Sequence, residues 1–286
     1  MRHVEFFDTD HFENNYHRIP PPAGLAGFID FFWETRFEGL WAAYPKGFSD
    51  IQFPNIGYTN IINLGTPFTM QVGKRKTNVK GDGFLPRHTT IECFHKPGNH
   101  LFGIKFRISP VILKKKINFS EYRGYIYPLS YLMEQPVIEQ VKKSGTFEER
   151  ANLLSNYFLS QLAQYHDSLQ AVHLVRSILD QCFQQNQFFV PVETIATRYQ
   201  ISARTLQRYF EMCTGSSSKQ ALQVMRIRKA TAHLVHSPND FDHALYGYYD
   251  HSHFYKHLKQ FVQSHSRPNL HLPLLNLLHT DRCDKL

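Results

Sequence analysis

The stretch ATRYQISARTLQRYF (196–210) recurs in altered form further along the chain as ALYGYYDHSHFYKHL (244–258). Each copy has a small residue on a first helix, a short turn, an N-capping residue and then an apolar pair at i and i+4. Ser202 and Asp250 are the capping residues. This order of features is the pattern of a helix-turn-helix, so the repeat predicts two such units in a helical region.

The second helix of the first copy has two distinct faces. Leu206, Phe210 and Cys213 share the spacing of a buried stripe, so Arg204 and Arg208 point outward. Arginines near the start of an exposed helix suit bidentate contact with guanine edges in a DNA major groove. The alternative is an ordinary helical hairpin with a solvated basic face. The matched basic positions in both copies favour DNA binding.

Residues 216–237, between the two copies, fit a helical strut of about 18 residues, ~27 Å long. Such a strut would hold two reading helices about one DNA turn apart, ~34 Å, in successive major grooves. The net charge of +8 agrees with an anionic partner. The first residues lack the apolar core of a signal peptide, and no stretch has the length of a membrane helix. We therefore expect a cytoplasmic protein without membrane contact, in which the four scattered cysteines stay reduced.

The chain before the helical region has a different period. Short strand-like runs broken by Gly and Pro occupy the first ~130 residues and predict a small barrel or sandwich. Residues 89–108 read as a hairpin around the turn Lys96-Pro97-Gly98-Asn99. In its second arm, Phe102, Ile104 and Phe106 alternate with Lys105 and Arg107. Amphipathic helices follow at 147–165 and 168–185, with a joint at 164–168. The fold class is therefore α+β.

Two groups of histidines could suggest a metal. His253 and His257 are four residues apart, but the third ligand is missing, and Phe254 stands where a zincin has Glu. In the β-rich half the available residues are His88, Glu92, His95 and His100. On a strand, Glu92 and His95 lie on opposite faces. The sequence therefore predicts no metal, no cofactor and no catalytic residue.

The helical region resembles the DNA-binding domain of AraC/XylS-type transcription regulators over residues 170–262. The resemblance is carried by Ser202, Leu206, Gln207-Arg208-x-Phe210, Gly215, Arg226 and Ala230. It implies that DNA is contacted by Arg204, Thr205, Gln207 and Arg208 in the first unit and by His251, Ser252, Tyr255 and Lys256 in the second. More loosely, residues 21–34, 54–68 and 102–108 are similar to the cupin-like barrel that serves as the sensor domain of some of these regulators.

The sequence departs from the family pattern at three places. Gln200 stands where the first turn usually has Gly, and His243 replaces a small residue in the second unit. The Gly-x-x-Pro-x-x-Arg that normally follows the last helix is missing. The second unit is therefore expected to be distorted, or to contribute mainly phosphate contacts.

These observations predict a sequence-specific DNA-binding transcription regulator whose first half binds a small-molecule effector or pairs with a second subunit as a homodimer. The expected domains are a β-rich sensor or dimerisation domain (1–130), a helical linker region (131–167), a double helix-turn-helix domain (168–270) and a tail (271–286). An alternative is a cupin-type metal-dependent enzyme with a helical accessory domain.

Overall fold

The computed structural model describes residues 1–108, 122, 124–165 and 169–263. Three predicted segments lie outside these residues: the tail (271–286), the last three residues of the joint (166–168) and most of the missing family motif after the last helix. The described chain is β-rich in its first part and helical from residue 135 onward, which confirms the predicted order of the two halves.

The β-rich half is built from short strands separated by turns. The described strands are β1 (Arg2–Val4), β2 (Tyr16–Ile19), β3 (Ile29–Thr35), β4 (Phe48–Gln52), β5 (Tyr58–Asn63), β6 (Phe68–Val72), β7 (Arg75–Val79), β8 (Gly83–Pro86), β9 (Ile91–His95), β10 (Leu101–Phe106) and β11 (Tyr127–Pro128). They form a five-stranded sheet in the order β1-β4-β9-β6-β7 and a six-stranded sheet in the order β11-β8-β5-β10-β3-β2. The described strands thus make two packed sheets, and a closed barrel is not confirmed.

The predicted hairpin at 89–108 is wrong, although its turn is present. The Asn99 amide donates to the Lys96 carbonyl at 3.0 Å, and Gly98 has a φ of 84°. However, β9 pairs with β4 and β6, while β10 pairs with β3 and β5 in the other sheet. The turn therefore connects the two sheets. Both strands lie inside a sheet, where each needs two neighbours to satisfy its backbone groups.

Apolar and polar residues alternate along β10 as predicted, but the polar side of the strand does not face solvent. Phe106 and Phe102 pack against the helical layer, with ring centroids 5.6 Å from Phe158 and 6.0 Å from Phe147. Lys105 points to the opposite side and is only 3% exposed. That side faces the second sheet, so the alternation places an ammonium group inside the protein.

Helices cover the six-stranded sheet and build the second half. The described α-helices are α1 (Thr9–Asn15), α2 (Gln135–Lys143), α3 (Phe147–Ala163), α4 (Gln170–Gln185), α5 (Val192–Arg198), α6 (Ala203–Thr214), α7 (Ser218–His236) and α8 (His251–Gln263). A capping box between Thr146 and Glu149 starts α3. Within the described ranges, no helix combines the length and apolarity needed to cross a membrane.

The two halves are docked on each other through α7 and α8. The Arg228 guanidinium on α7 contacts the Glu5 carboxylate at 2.6 Å. The Phe261 ring on α8 packs 5.2 Å from Phe53, which is fully buried. One apolar cluster runs through both halves. The two halves therefore share a packed interface, so a change of shape in the β-rich half would alter contacts made by the helical half.

Candidate nucleic-acid interface and interior cavity

The first helix-turn-helix consists of α5, a tight turn and α6. Ala196 on α5 is buried and lets α6 approach closely. Gln200 in the turn has a φ of 55°, the left-handed conformation for which the family favours Gly. The Ser202 hydroxyl accepts from the Thr205 amide at 3.1 Å, which confirms the predicted N-cap. A strained turn and a strong cap thus fix where α6 begins.

The two faces of α6 match the prediction for the buried stripe. Leu206, Phe210 and Cys213 are fully buried, while Arg204 and Arg208 are exposed. The exposed guanidinium groups have five donors each and can reach a partner without disturbing the core. Both arginine side chains are therefore accessible on the outer face of α6.

The structure gives Gln207 and Thr205 a different environment from the two arginines. Gln207 is half-buried, and its Oε1 accepts from the backbone amide and the hydroxyl of Ser218, at 3.3 and 3.2 Å. Its Nε2 donates to Glu211 at 2.6 Å. The Thr205 hydroxyl lies 3.0 Å from that of Ser202. In this arrangement Gln207 ties α6 to α7, so DNA contact by Gln207 would require it to release Ser218.

The helix α7 joins the two predicted units. Gly215 ends α6 with a φ of 74°, and a capping box of Ser217 and Gln220 starts the 19-residue α7. Arg226 anchors the second unit to α7. Its Nε donates to the Tyr246 carbonyl at 2.7 Å, and its guanidinium lies 3.7 Å from the centre of the Tyr248 ring.

The second unit begins with a single 3₁₀ turn, His243–Tyr246, instead of an α-helix. Gly247 ends that turn with a φ of 72°, and the Asp250 carboxylate caps α8 by accepting from the His253 amide at 2.7 Å. The predicted turn and cap are therefore present. Ala244 is exposed, so it does not provide the close helix contact expected of a small residue there. The first helix of this unit is thus shortened, in line with the distortion expected where His243 replaces a small residue.

The apolar pair predicted at i and i+4 in the second copy lies within a buried stripe on α8. Its four buried residues are Phe254, Leu258, Phe261 and Val262. On the opposite side His251, Ser252 and Lys256 are exposed and Tyr255 is half-buried. The His251 ring lies 4.2 Å from that of His243. The four residues predicted to contact DNA thus lie on the polar face of this helix.

The histidines that the sequence singled out do not form a common site. His257 Nδ1 lies 2.8 Å from the Tyr248 hydroxyl, while His253 is exposed. Burial, the charge of Arg226 and the nearby His253 lower the pKa of His257 to about 4. His257 is therefore a neutral packing residue at physiological pH.

The other predicted histidine group is dispersed as well. His88 contacts Ser216 at 3.0 Å and His100 contacts Glu34 at 2.8 Å. His95 turns inward to Asp50. A different group, missed from the sequence, does converge: His3, His11 and Asp50. No spacing rule links these three residues, because β1, α1 and β4 meet only in the folded sheet.

An interior cavity of about 300 Å³ lies between the two sheets, within the usual range for small-molecule pockets. Its apolar lining comes from Phe31, Trp33, Ile61, Met70, Ile91 and Leu101. Among the polar groups that line it are four cationic side chains, Arg18, Arg87, Lys105 and Arg228. Arg228 belongs to α7, so the helical half contributes directly to the cavity wall.

Two of the cations in the cavity are almost completely buried. Arg87 is 5% exposed, and among the described residues its Nε has no hydrogen-bond partner. Lys105 Nζ donates to the carbonyls of Ile56 and Phe106 at 2.6 and 2.8 Å. Burial lowers the pKa of Arg87 to about 10 and that of Lys105 to about 7. Both groups would be stabilised by an anion placed in the cavity.

Arg228 is held by a carboxylate at the boundary between the halves. Its guanidinium contacts both oxygens of Glu5 and donates to the Pro54 carbonyl at 3.0 Å. Burial alone would raise the pKa of Glu5, but the charge and hydrogen bonds of Arg228 keep that pKa below its usual value. Glu5 thus stays ionised and fixes the position of α7 on the β-rich half.

The capped α5–α6 pair, its exposed arginines and the docked β-rich half define a helix-turn-helix DNA-binding protein with a second, cavity-bearing region. Residues 195–265 match the model of a helix-turn-helix domain family. This match confirms the AraC-type DNA-binding domain predicted from the sequence and identifies the helical half as that of a transcription regulator.

No curated protein matches the chain. Among solved structures, ToxT from Vibrio cholerae O395 is 12% identical, with 93% of this chain and 97% of that chain covered and a TM-score of 0.42. ToxT from strain SCE256 with a bound unsaturated fatty acid is 10% identical, with 86% and 90% covered and a TM-score of 0.39. The AraC-like transcriptional activator CuxR is 12% identical, with 78% and 89% covered and a TM-score of 0.27. Since all three TM-scores lie below 0.5, the assignment stands on the helix-turn-helix match.

Proposed function

We propose that this protein is a sequence-specific DNA-binding transcription regulator whose first reading helix is α6. The observation that carries the proposal is the pair of exposed guanidinium groups, Arg204 and Arg208, on a capped helix inside the helix-turn-helix match. Arg208 and Arg204 supply base contacts, and Thr205 supplies a phosphate or base contact beside them. Gln207 joins them when DNA displaces its bond to Ser218.

The second unit follows α6 along the same face of the duplex. Its contacts come from His251, Ser252, Tyr255 and Lys256 on the polar face of α8. With 19 residues, α7 spans about 28 Å at ~1.5 Å per residue, close to the ~34 Å between successive major grooves. Because its first helix is reduced to a 3₁₀ turn, this unit contributes mainly phosphate contacts and little sequence selection.

The β-rich half acts as the sensor, and its ligand is an amphipathic anion. The cavity offers an apolar lining for a hydrocarbon group, with Arg87 and Lys105 as buried partners for a carboxylate. Binding there changes the surroundings of Arg228, which links the cavity wall to α7. This half (1–130) also supplies dimerisation, residues 131–167 are a helical linker region, and residues 168–270 bind DNA.

The alternative, a cupin-type metal-dependent enzyme, depended on His88, Glu92 and His95 acting together. These three side chains contact different partners. His88 contacts Ser216, Glu92 contacts Arg2, and His95 contacts Asp50. We therefore prefer the regulator, in which the β-rich half binds a ligand and the helical half reads DNA.

The experiment that tests the regulator is selection of bound sequences from random duplex DNA with the full chain, at two salt concentrations. We expect one enriched motif, and binding that weakens steeply as salt rises, because phosphate contacts release counterions. Recovery of unenriched sequences at both salt concentrations would contradict sequence-specific recognition. If the full chain bound no DNA even at the lower salt concentration, the proposal that it binds DNA would be wrong.

The proposal that the ligand is an anion can be tested by comparing a fatty acid with an uncharged analogue, and by substituting a cationic side chain that lines the cavity. A long-chain unsaturated fatty acid should raise the melting temperature of the wild type more than the corresponding alcohol does. In Arg87→Met the preference for the acid should fall by roughly 10- to 100-fold in affinity, since a hydrogen bond to a charged group contributes ~1.5–3 kcal/mol. Lys96→Met, which removes an exposed charge from the same half, should keep the preference. Equal responses to acid and alcohol in the wild type would contradict an anionic ligand.

A further inference from the structure

A buried cluster outside the cavity and the DNA-binding face brings two histidines onto one carboxylate. His3 on β1 lies opposite Asp50 on β4, and its Nδ1 is 3.1 Å from Asp50 Oδ1. His11 on α1 places its Nε2 3.0 Å from the same oxygen. One ligand atom from each of the three residues lies within 4.8 Å of the others. Three separate elements thus converge on a single point.

Among the described residues, no permanently cationic side chain contacts the carboxylate of Asp50. Asp50 is completely buried, and its second oxygen, Oδ2, accepts from the Tyr16 hydroxyl at 2.5 Å. His95 Nε2 approaches the same oxygen at 3.4 Å. The described groups that contact this carboxylate are imidazoles and a phenol, which carry no obligatory positive charge. A buried carboxylate in such a setting favours a cation.

The two imidazole rings also have unused ligand capacity. The rings of His3 and His11 are stacked, with centroids 3.6 Å apart and planes 13° from parallel. Although His11 Nε2 is near Asp50, it makes no hydrogen bond of normal geometry to any described residue. A buried ring nitrogen without a hydrogen bond, beside a carboxylate, is suited to hold a metal ion.

From this geometry we infer that His3, His11 and Asp50 form a binding site for a divalent transition-metal ion of the zinc class. The ligand atoms would be His3 Nδ1, His11 Nε2 and a carboxylate oxygen of Asp50. Their separations of 3.0 and 3.1 Å approach the ~3.3 Å edge of a tetrahedron with metal–ligand bonds of ~2.0–2.1 Å. One of the two stacked rings must rotate before both lone pairs can point at the ion. His95 Nε2, 3.4 Å from Asp50 Oδ2, is a candidate for the fourth position.

The site differs from the metal centre that the cupin alternative required, and it reverses the expectation of a metal-free protein. Its role is structural, because it connects β1 and α1 to β4. Tyr16 and His95, which contact Asp50, also line the cavity. The ion would therefore hold one wall of the cavity in place.

The test uses the full chain after removal of metal with a chelator, titrated with Zn²⁺ and, in parallel, with Co²⁺. We expect one ion per chain by calorimetry, visible Co²⁺ absorption typical of a nitrogen- and oxygen-ligated low-coordinate ion, and a Zn²⁺-dependent rise in melting temperature. His11→Ala and Asp50→Asn should each weaken binding by more than the ~10–100-fold that loss of an outer-shell partner costs. His253→Ala, an exposed histidine outside the cluster, should bind like the wild type.

Circular dichroism of each variant separates loss of a ligand from loss of the fold. If Asp50→Asn does not fold, the folded His11→Ala protein decides the result. Absence of Zn²⁺ and Co²⁺ binding by the wild type would overturn the proposal. So would undiminished binding by folded His11→Ala, or loss of binding in His253→Ala. None of these results depends on DNA binding, so the outcome is independent of the proposed regulatory function.

Discussion

Gly215→Ala should separate the helical half from the β-rich half. At Gly215 the backbone is left-handed, which costs a residue with a side chain about 1–2 kcal/mol. A Cβ at that position would lie 2.0 Å from the hydroxyl of Tyr58 on β5 and 3.1 Å from His88. Tyr58 is only 1% exposed and has no room to withdraw. We expect the melting temperature to fall by about 2–4 °C for each kcal/mol lost, and the radius of gyration to increase in solution scattering.

A matched control exists within the helical half. Gly247 has nearly the same φ, 72°, but its Cβ would meet the side chain of Phe189, which is 56% exposed and free to move aside. Gly247→Ala should therefore carry the backbone cost without separating the halves. Adding Tyr58→Phe to Gly215→Ala removes the nearest colliding atom and should restore part of the lost stability. If the two glycine variants had equal radii of gyration, the collision of the new Cβ with Tyr58 would not be enough to separate the two halves.

Arg208→Ala should weaken binding to the selected DNA motif by ~1–3 kcal/mol, or roughly 5- to 150-fold, and relax the preference at one base position. The physical reason is the loss of two parallel hydrogen bonds to a base edge. The side chain is exposed, so the fold should be unaffected and the melting temperature unchanged. The measurement is fluorescence anisotropy with the selected duplex and with duplexes carrying single substitutions.

Substitutions of two other basic residues serve as a comparison and a control for Arg208→Ala. Lys256→Ala on α8 should weaken binding similarly on all sequences and reduce the salt dependence by about one counterion. Lys143→Ala removes an exposed charge from α2, outside the helix-turn-helix match, and should have little effect. If Lys256→Ala abolished binding while Arg208→Ala left it intact, α8 would be the main reading helix and the proposed order would be reversed.

Features that depend on a few neighbouring residues were predictable from the sequence. The stripe of Leu206, Phe210 and Cys213 follows from helical periodicity alone. The caps at Ser202 and Asp250 follow from the short reach of their side chains to nearby amides. The helix-turn-helix is built from such local rules, which is why its position and faces could be assigned before the structure was known.

Features that depend on distant pairing were not predictable. The turn after His95 looks like a hairpin turn in sequence, but the neighbours of β9 and β10 come from other parts of the chain. For the same reason the alternation of β10 could not show that Lys105 faces a cavity. His3 and His11 meet Asp50 only because β1 pairs with β4. Gln207 was assigned outward, but the start of α7 passes close enough to bind it.

Arg226 and Arg228 are two residues apart on α7 and therefore point about 200° from each other around the helix axis. One holds the backbone that precedes α8, and the other holds Glu5 beside the cavity. If a ligand occupies the cavity as proposed, this single turn of helix links the occupancy of the cavity thermodynamically to the placement of α8. Linkage is reciprocal, so an effector that changes the affinity for DNA by some factor must itself be bound more or less tightly by that same factor when DNA is present. The protein on its operator and the protein free in solution would then respond to different concentrations of the same compound.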